Sequence, residues 1–429
     1  MQEVLLSDHA MLVLLRSLAL STVTLCSALG ATPVPDIAQL ASYPSNVTGL
    51  VNGYALLPGA LENGGLISKS GYGTEILLAT GATNRIVCND RVCYFGTVST
   101  GPAVPGRLWR TDGTRRGTVQ LASYDNSTVY VLGLAGSYAY AQIVGTDRRI
   151  IEVAVDGSLT SIFQGTPDHF AASEQTVAFV DQANRRVTRI DRGSAPLTLD
   201  HYVPNGLDRP VAVIGSTILF AGETQSTGVE LWLHRTGDLA STLISDFVPG
   251  ANGSSPDWLT PFGAGVYFSA ASRLYRLEPP FTTPVLELNN QAWASFLQVG
   301  NRGLAFLARG GNGFMDVFLA PSFGAPPINV SGFSAGAFEL FTEFQFGFIG
   351  KAFVFGARAE LVPTNLGREP YFSGGLAGDA LLLADLTPGA SDSNPRAMSS
   401  DGERALFATA NATWHVGAPL VGIFRDGFD

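Results

Sequence analysis

Charge is scarce in this sequence. Asp, Glu, Lys and Arg make up 14% of 429 residues, where about a quarter is usual. Helices with one solvated face need those residues, and neither heptads nor amphipathic helical runs of useful length occur. The 26 Lys and Arg against 36 Asp and Glu leave a net charge of −10. No basic cluster is present to follow a phosphate backbone, so no nucleic-acid partner is expected. Five histidines never stand in pairs at metal-ligand spacing, which argues against a metal site of the zinc type. The apolar run Ser17–Leu29 is shorter than the roughly 20 residues that a membrane span requires.

What is abundant points the other way. Forty-nine glycines and 24 prolines accompany a hydrophobic fraction of 46%, a mixture suited to many short strands joined by tight turns. The segment Met11-Leu-Val-Leu-Leu-Arg16 leads into the apolar run, and Ala28-Leu29-Gly30 places small residues before Ala31. This is the pattern of a cleaved export signal over residues 1–30, with Met11 as an alternative start. Removing it leaves two cysteines, Cys88 and Cys93, flanking Asn89-Asp90-Arg91. That turn chemistry places them on facing strands of a hairpin, where an oxidising compartment would join them as a structural disulfide.

Internal repetition is the strongest signal. A turn followed by a short strand ending in a large apolar residue recurs nine times. It begins with a degenerate copy at Leu56 and continues through Phe95, Tyr140, Phe179, Phe220, Phe268, Phe306, Phe355 and Phe407. The later intervals average about 45 residues, the length of a four-stranded propeller blade. A second strand follows many copies, as at Arg107–Thr111 and Glu230–His234, and some copies end in an Asp-Gly turn such as Asp112-Gly113. The connecting loop repeats as well: Asp246, Pro249 and Gly250 match Asp385, Pro388 and Gly389, at a separation of 139 residues.

These features predict an all-β chain, a β-propeller of about eight blades with seven to nine possible. The boundaries read as a linker at 31–43, a propeller over 44–424 and a short tail at 425–429. Nine units can be counted; the first and last are expected to share one blade, with 419–424 pairing against the first sheet. Each unit alone is a small sheet that cannot bury its apolar face, and ring closure solves this for all of them together.

Arg107-Leu108-Trp109-Arg110-Thr111-Asp112-Gly113-Thr114, with Gly117-Thr118, resembles the repeat of the bacterial ELWxxDGT family. So do Glu230-Leu231-Trp232, Asp246–Gly250 and Val266-Tyr267-Phe268-Ser269-Ala270. The likeness is specific in about three units and only periodic elsewhere. It implies an exported, envelope-associated propeller and carries no general activity with it.

Candidates for chemistry are few. Gly332-Phe333-Ser334-Ala335-Gly336 has the Gly-x-Ser-x-Gly spacing, but that motif works on a strand-to-helix turn, and this chain has no alternating helices. One carboxylate per Asp-Gly turn falls short of the roughly six to eight oxygens calcium takes. Trp109 and Trp232 share a repeat position and are expected in the core between blades. No catalytic, cofactor-binding or metal residues are assigned, and no cofactor is expected. The leading expectation is a non-enzymatic, monomeric, exported scaffold that binds a protein or polysaccharide. The rival is a carbohydrate-active enzyme, which would require two carboxylates with a His or Arg at the channel mouth.

Overall fold

The computed structural model describes residues 35–417, apart from 36, 42–47, 59–64, 70–74, 82, 102, 147, 289–293, 301–302, 310–314, 332–344, 351 and 362–363. The proposed signal at 1–30, the Gly-x-Ser-x-Gly segment and residues 419–429 therefore lie outside the described residues. Every described element is a β-strand, and all strand pairs within the sheets are antiparallel. Among the described residues there is no helix able to cross a membrane.

Seven sheets have four strands; the eighth has eight strands, and its two halves are joined through one residue pair, Tyr202 with Glu223. The described residues thus build nine four-stranded blades. In sequence order they span 49–79, 83–124, 127–164, 167–202, 211–245, 257–288, 295–329, 346–382 and 396–417, the last completed from the N-terminal side. The first strands of neighbouring blades lie beside one another, including those of blades 9 and 1. Blades 7 and 8 are linked by the Gln298 side chain, which bonds both main-chain groups of Phe346. The ring is closed: a β-propeller.

Two expectations about the ends need correction. Blade 1 has four strands of its own, so the first and last units stay separate and the described residues form nine blades, within the seven to nine expected; the expected pairing of 419–424 lies outside the described residues. Closure comes from the N-terminal side instead. Residues Ile37–Ala41, read from sequence as linker, form the outermost strand of blade 9 against Thr413–Gly417. Few large side chains and no Gly-Asp punctuation mark this segment, so only the unfilled edge of blade 9 defines it.

The repeated large residue has one role throughout. Leu56, Phe95, Tyr140, Phe179, Phe220, Phe268, Phe306, Phe355 and Phe407 each stand on the second strand of a blade, and each is 0% exposed. In blades 2 and 5 to 9 it faces a ring on the third strand: Trp109, Trp232, Tyr275, Phe318, Tyr371 and Trp414 respectively. Successive blades then share cores; Leu231 and Leu233 of blade 5 pack with Val266 and Phe268 of blade 6. Leu406 of blade 9 packs with Leu50, Ala55 and Leu57 of blade 1. Burying one such ring contributes roughly 3–5 kcal/mol by the cost of its removal.

Candidate functional site

The first strand of each blade has one edge paired with the second strand and the other facing the axis. Its outward N–H and C=O groups have no strand partner there, a condition that must be met by side chains or water. A bulge recurs at this strand: the register slips between Pro167 and Phe170, Asp257 and Thr260, Ser295 and Gln298, and Arg396 and Ser399. The bulged residues Trp258 and Phe296 both adopt φ of 55°. The slip turns the next side chains toward the axis.

Around the axis, on the side of blades 2 to 6, a cavity of about 360 Å³ opens. It is lined by Arg85, Leu132, Asp168, His169, Phe170, Ala171, Asp208, Arg209, Val211, Leu259, Thr260 and Pro261. All of these belong to innermost strands or the residues just before them, which identifies the cavity as the channel mouth. The charged groups gather here from three separate blades, and no repeat motif in the sequence joins them.

Each carboxylate but one is committed. Asp257, nearly buried, accepts the main-chain N–H of Asp208 at 3.0 Å, of Arg209 at 2.7 Å and of Trp258 at 2.7 Å. Burial nevertheless pushes its carboxyl above the usual range, with those N–H groups pulling the other way. Asp168 is paired with Arg185, whose other nitrogens donate to the carbonyls of Val203 and Pro204. His169 Nε2 lies 3.5 Å from Asp168, and burial lowers its pKa. The side chain of Asp208 is exposed and makes no hydrogen bond or ion pair among the described residues.

The guanidinium groups differ. Arg209 donates to Leu297 O at 2.6 Å and lies 5.0 Å over the Trp258 ring. Arg85 has no hydrogen-bond or ion-pair partner among the described residues. Its side chain is exposed at the cavity rim, and its charge is felt at Arg209. Two cations therefore face one cavity, and only one of them has an acceptor.

The residues picked out from sequence lie elsewhere and do not converge. Cys88 and Cys93 are disulfide-bonded across the hairpin between the first two strands of blade 2, with Cα atoms 4.0 Å apart. Asp112 and Gly113 turn the third strand of blade 2 into the fourth; Asp112 Oδ1 accepts from Thr114 N and Oγ1, and Gly113 has φ of 95°. Asp246, Pro249 and Gly250 lie in the exposed connection from blade 5 to 6, and Asp385, Pro388 and Gly389 in that from blade 8 to 9, with Gly250 at 100° and Gly389 at 92°.

What closes those two loops was missed in the sequence, although the 139-residue alignment contains it. Glu230 is wholly buried; its carboxylate accepts Ser254 Oγ at 2.5 Å and Val248 N at 3.2 Å. Glu369, at the matching position, accepts Ser393 N at 3.1 Å and Leu386 N at 2.9 Å. The first letter of the Glu-Leu-Trp motif is therefore a clamp on the Pro-Gly loop. Trp232 is half-buried, donates to Gly222 O at 3.0 Å and stacks on His201 at 3.8 Å, a place between blades as expected.

No protein-family profile and no curated protein matches this chain. Among solved structures, the computationally designed Ika8 protein shares 13% identity over 79% of this chain and 96% of its own, with a TM-score of 0.47. BamB from Moraxella catarrhalis shares 13% over 89% and 99%, with a TM-score of 0.40. PorZ of Porphyromonas gingivalis, described as a surface component of the type-IX secretion system, shares 12% over 91% of this chain and 54% of its own, with a TM-score of 0.36. At these levels no function is taken from them.

Proposed function

We propose that this protein is an exported, non-enzymatic binding propeller that holds a protein or polysaccharide partner at its channel mouth. The observation that carries the reading is the state of the mouth's carboxylates. A hydrolase of the two-carboxylate kind needs one acid and one base or nucleophile free to act. Here Asp257 is taken up by three main-chain N–H groups and Asp168 by Arg185, which leaves Asp208 alone. Arg85, by contrast, is available for a ligand. The disulfide supports an oxidising compartment outside the cytoplasm, consistent with the export signal read at 1–30. The Glu-Leu-Trp and Asp-Gly copies in blades 2 and 5 support kinship with the ELWxxDGT-repeat proteins of bacterial envelopes.

The test is a capture experiment with purified mature protein against envelope extract, run beside a polysaccharide binding panel. Retention of a partner that is lost in an Arg85→Gln, Asp208→Asn double variant supports the reading. Partners retained equally by the double variant place binding elsewhere. The rival, a carbohydrate-active enzyme, keeps one observation in its favour: Asp168, Asp208 and His169 share a cavity. It is decided by incubation with the panel, where any chain shortening abolished by Asp208→Asn would establish it.

A further inference from the structure

We infer that the channel mouth recognises the carboxylate of an acidic sugar, so that the ligand is a uronic-acid-bearing polysaccharide. This inference rests on the reading of the mouth as a binding site.

In a chain of net charge −10, Arg85 and Arg209 come from two blades to line one opening, and Arg185 stands behind it on Asp168. Arg185 is neutralised by Asp168 and braced by two carbonyls. Arg209 is held by Leu297 O and Trp258. Arg85 projects from the first strand of blade 2 into the same cavity, without an acceptor, and it and Arg209 repel each other. Both side chains are exposed at the rim, and two like charges on one opening oppose each other. A monoanion seated between Arg85 and Arg209 offsets that repulsion, and a guanidinium offers a planar fork matched to a carboxylate.

Arg85, unlike Arg209 and Asp257, takes no part in closing the ring. Around the rest of the axis, innermost strands are tied by neutral groups: Gln298 to Phe346, Gln345 to Met398, Ser400 to Phe348 and Thr48 to Ser399. Arg85 makes no such tie among the described residues, so ring closure does not account for it.

An extended peptide would bind by adding to a strand edge, but at this mouth the N–H groups of Asp208 and Arg209 are already capped by Asp257. A helix would need a long apolar groove, and the cavity is about 360 Å³, near the lower end for small ligands. Its walls combine apolar faces (Leu132, Phe170, Val211, Pro261) with one free carboxylate, Asp208. A pyranose ring with apolar faces, hydroxyl donors and one carboxylate satisfies all three features. A sulfate or phosphate dianion fits less well, because Asp168, Asp208 and Asp257 lie around the same opening.

The test uses short galacturonic-acid oligomers, their neutral methyl esters and an acidic peptide, titrated calorimetrically against the wild-type chain, Arg85→Gln and Arg85→Lys. Binding of the acid but not the ester is expected, with roughly a tenfold or greater loss in Arg85→Gln and weakening with salt. Arg85→Lys should retain part of the affinity, and circular dichroism should show all three chains equally folded. Equal binding of acid and ester would leave the binding role standing and overturn the carboxylate reading. Peptide binding that depends on Arg85 while the oligomers fail would overturn the sugar class. Binding of none of the three would overturn the inference as a whole.

Discussion

The two sides of the channel face the same physical problem and answer it differently. On the side of blades 7 to 9 and 1, the axis-facing edges of the innermost strands are tied by amides and hydroxyls, with Gln298 spanning both main-chain groups of Phe346 at 2.7 and 3.0 Å. On the side of blades 2 to 6 the corresponding tie is a carboxylate, Asp257, with Arg209 and His169 nearby. A neutral amide costs less to desolvate than a charge, so closure alone would favour the first solution everywhere. Arg396 also stands on an innermost strand, in blade 9, but it is on the side of blades 2 to 6 that charged groups from several blades share one cavity.

The largest effect should come from the cores that both sides share. Phe306→Ala, at a wholly buried ring position in blade 7, is expected to cost about 3–5 kcal/mol by denaturant unfolding. The same change at Phe179 in blade 4 should cost a similar amount. Unequal losses would mean that the two sides do not unfold together. Next come the ties themselves. Gln298→Leu and Asp257→Leu each strand main-chain groups across a blade boundary, and each should cost about 1–3 kcal/mol. If Asp257→Leu were neutral, its carboxylate would not be a structural cap and would return to the pool of candidate catalytic groups.

Acid should act more weakly and on one side. His169, His201 and His234 all lie in blades 4 and 5, and burial lowers the pKa of each below the ordinary 6.5. Below that value the unfolded chain takes up protons that the folded chain resists, so stability falls as pH drops from 7 toward 5.5. The raised carboxyls of Glu230, Asp257 and Glu369 work in the opposite sense at lower pH, since the folded state favours their neutral form. Thermal melts of a His169→Asn, His201→Asn, His234→Asn chain should therefore show a flatter decline between pH 7 and 5.5. The smallest change is the most telling: Arg85→Gln should alter unfolding stability by less than about 0.5 kcal/mol. A marked loss would show that Arg85 belongs to the scaffold after all.

The units were readable because their message is local. Phe220 or Phe407 is written next to its own turn, and Phe95 beside its strand partner across a tight hairpin; period and burial follow from the pleat. The 139-residue echo even contained the clamp, since Glu230 and Ser254 recur as Glu369 and Ser393, but a carboxylate in a motif does not announce that it is buried. The candidate site had no such signature. Arg85, Asp168, Arg209 and Asp257 are separated by up to four blades of sequence and occupy unlike positions in their repeats.

From the sequence alone came the all-β class, the repeat length, the hairpin disulfide and the identity of the buried rings, because each depends on contacts within one or two strands. Only the tertiary structure decided that the described residues form nine blades, that Ile37–Ala41 completes the last of them, and that charged groups from three blades share one cavity. Those outcomes depend on which edges meet when the circle closes, and closure brings together residues whose separation along the chain carries no information about their distance in space.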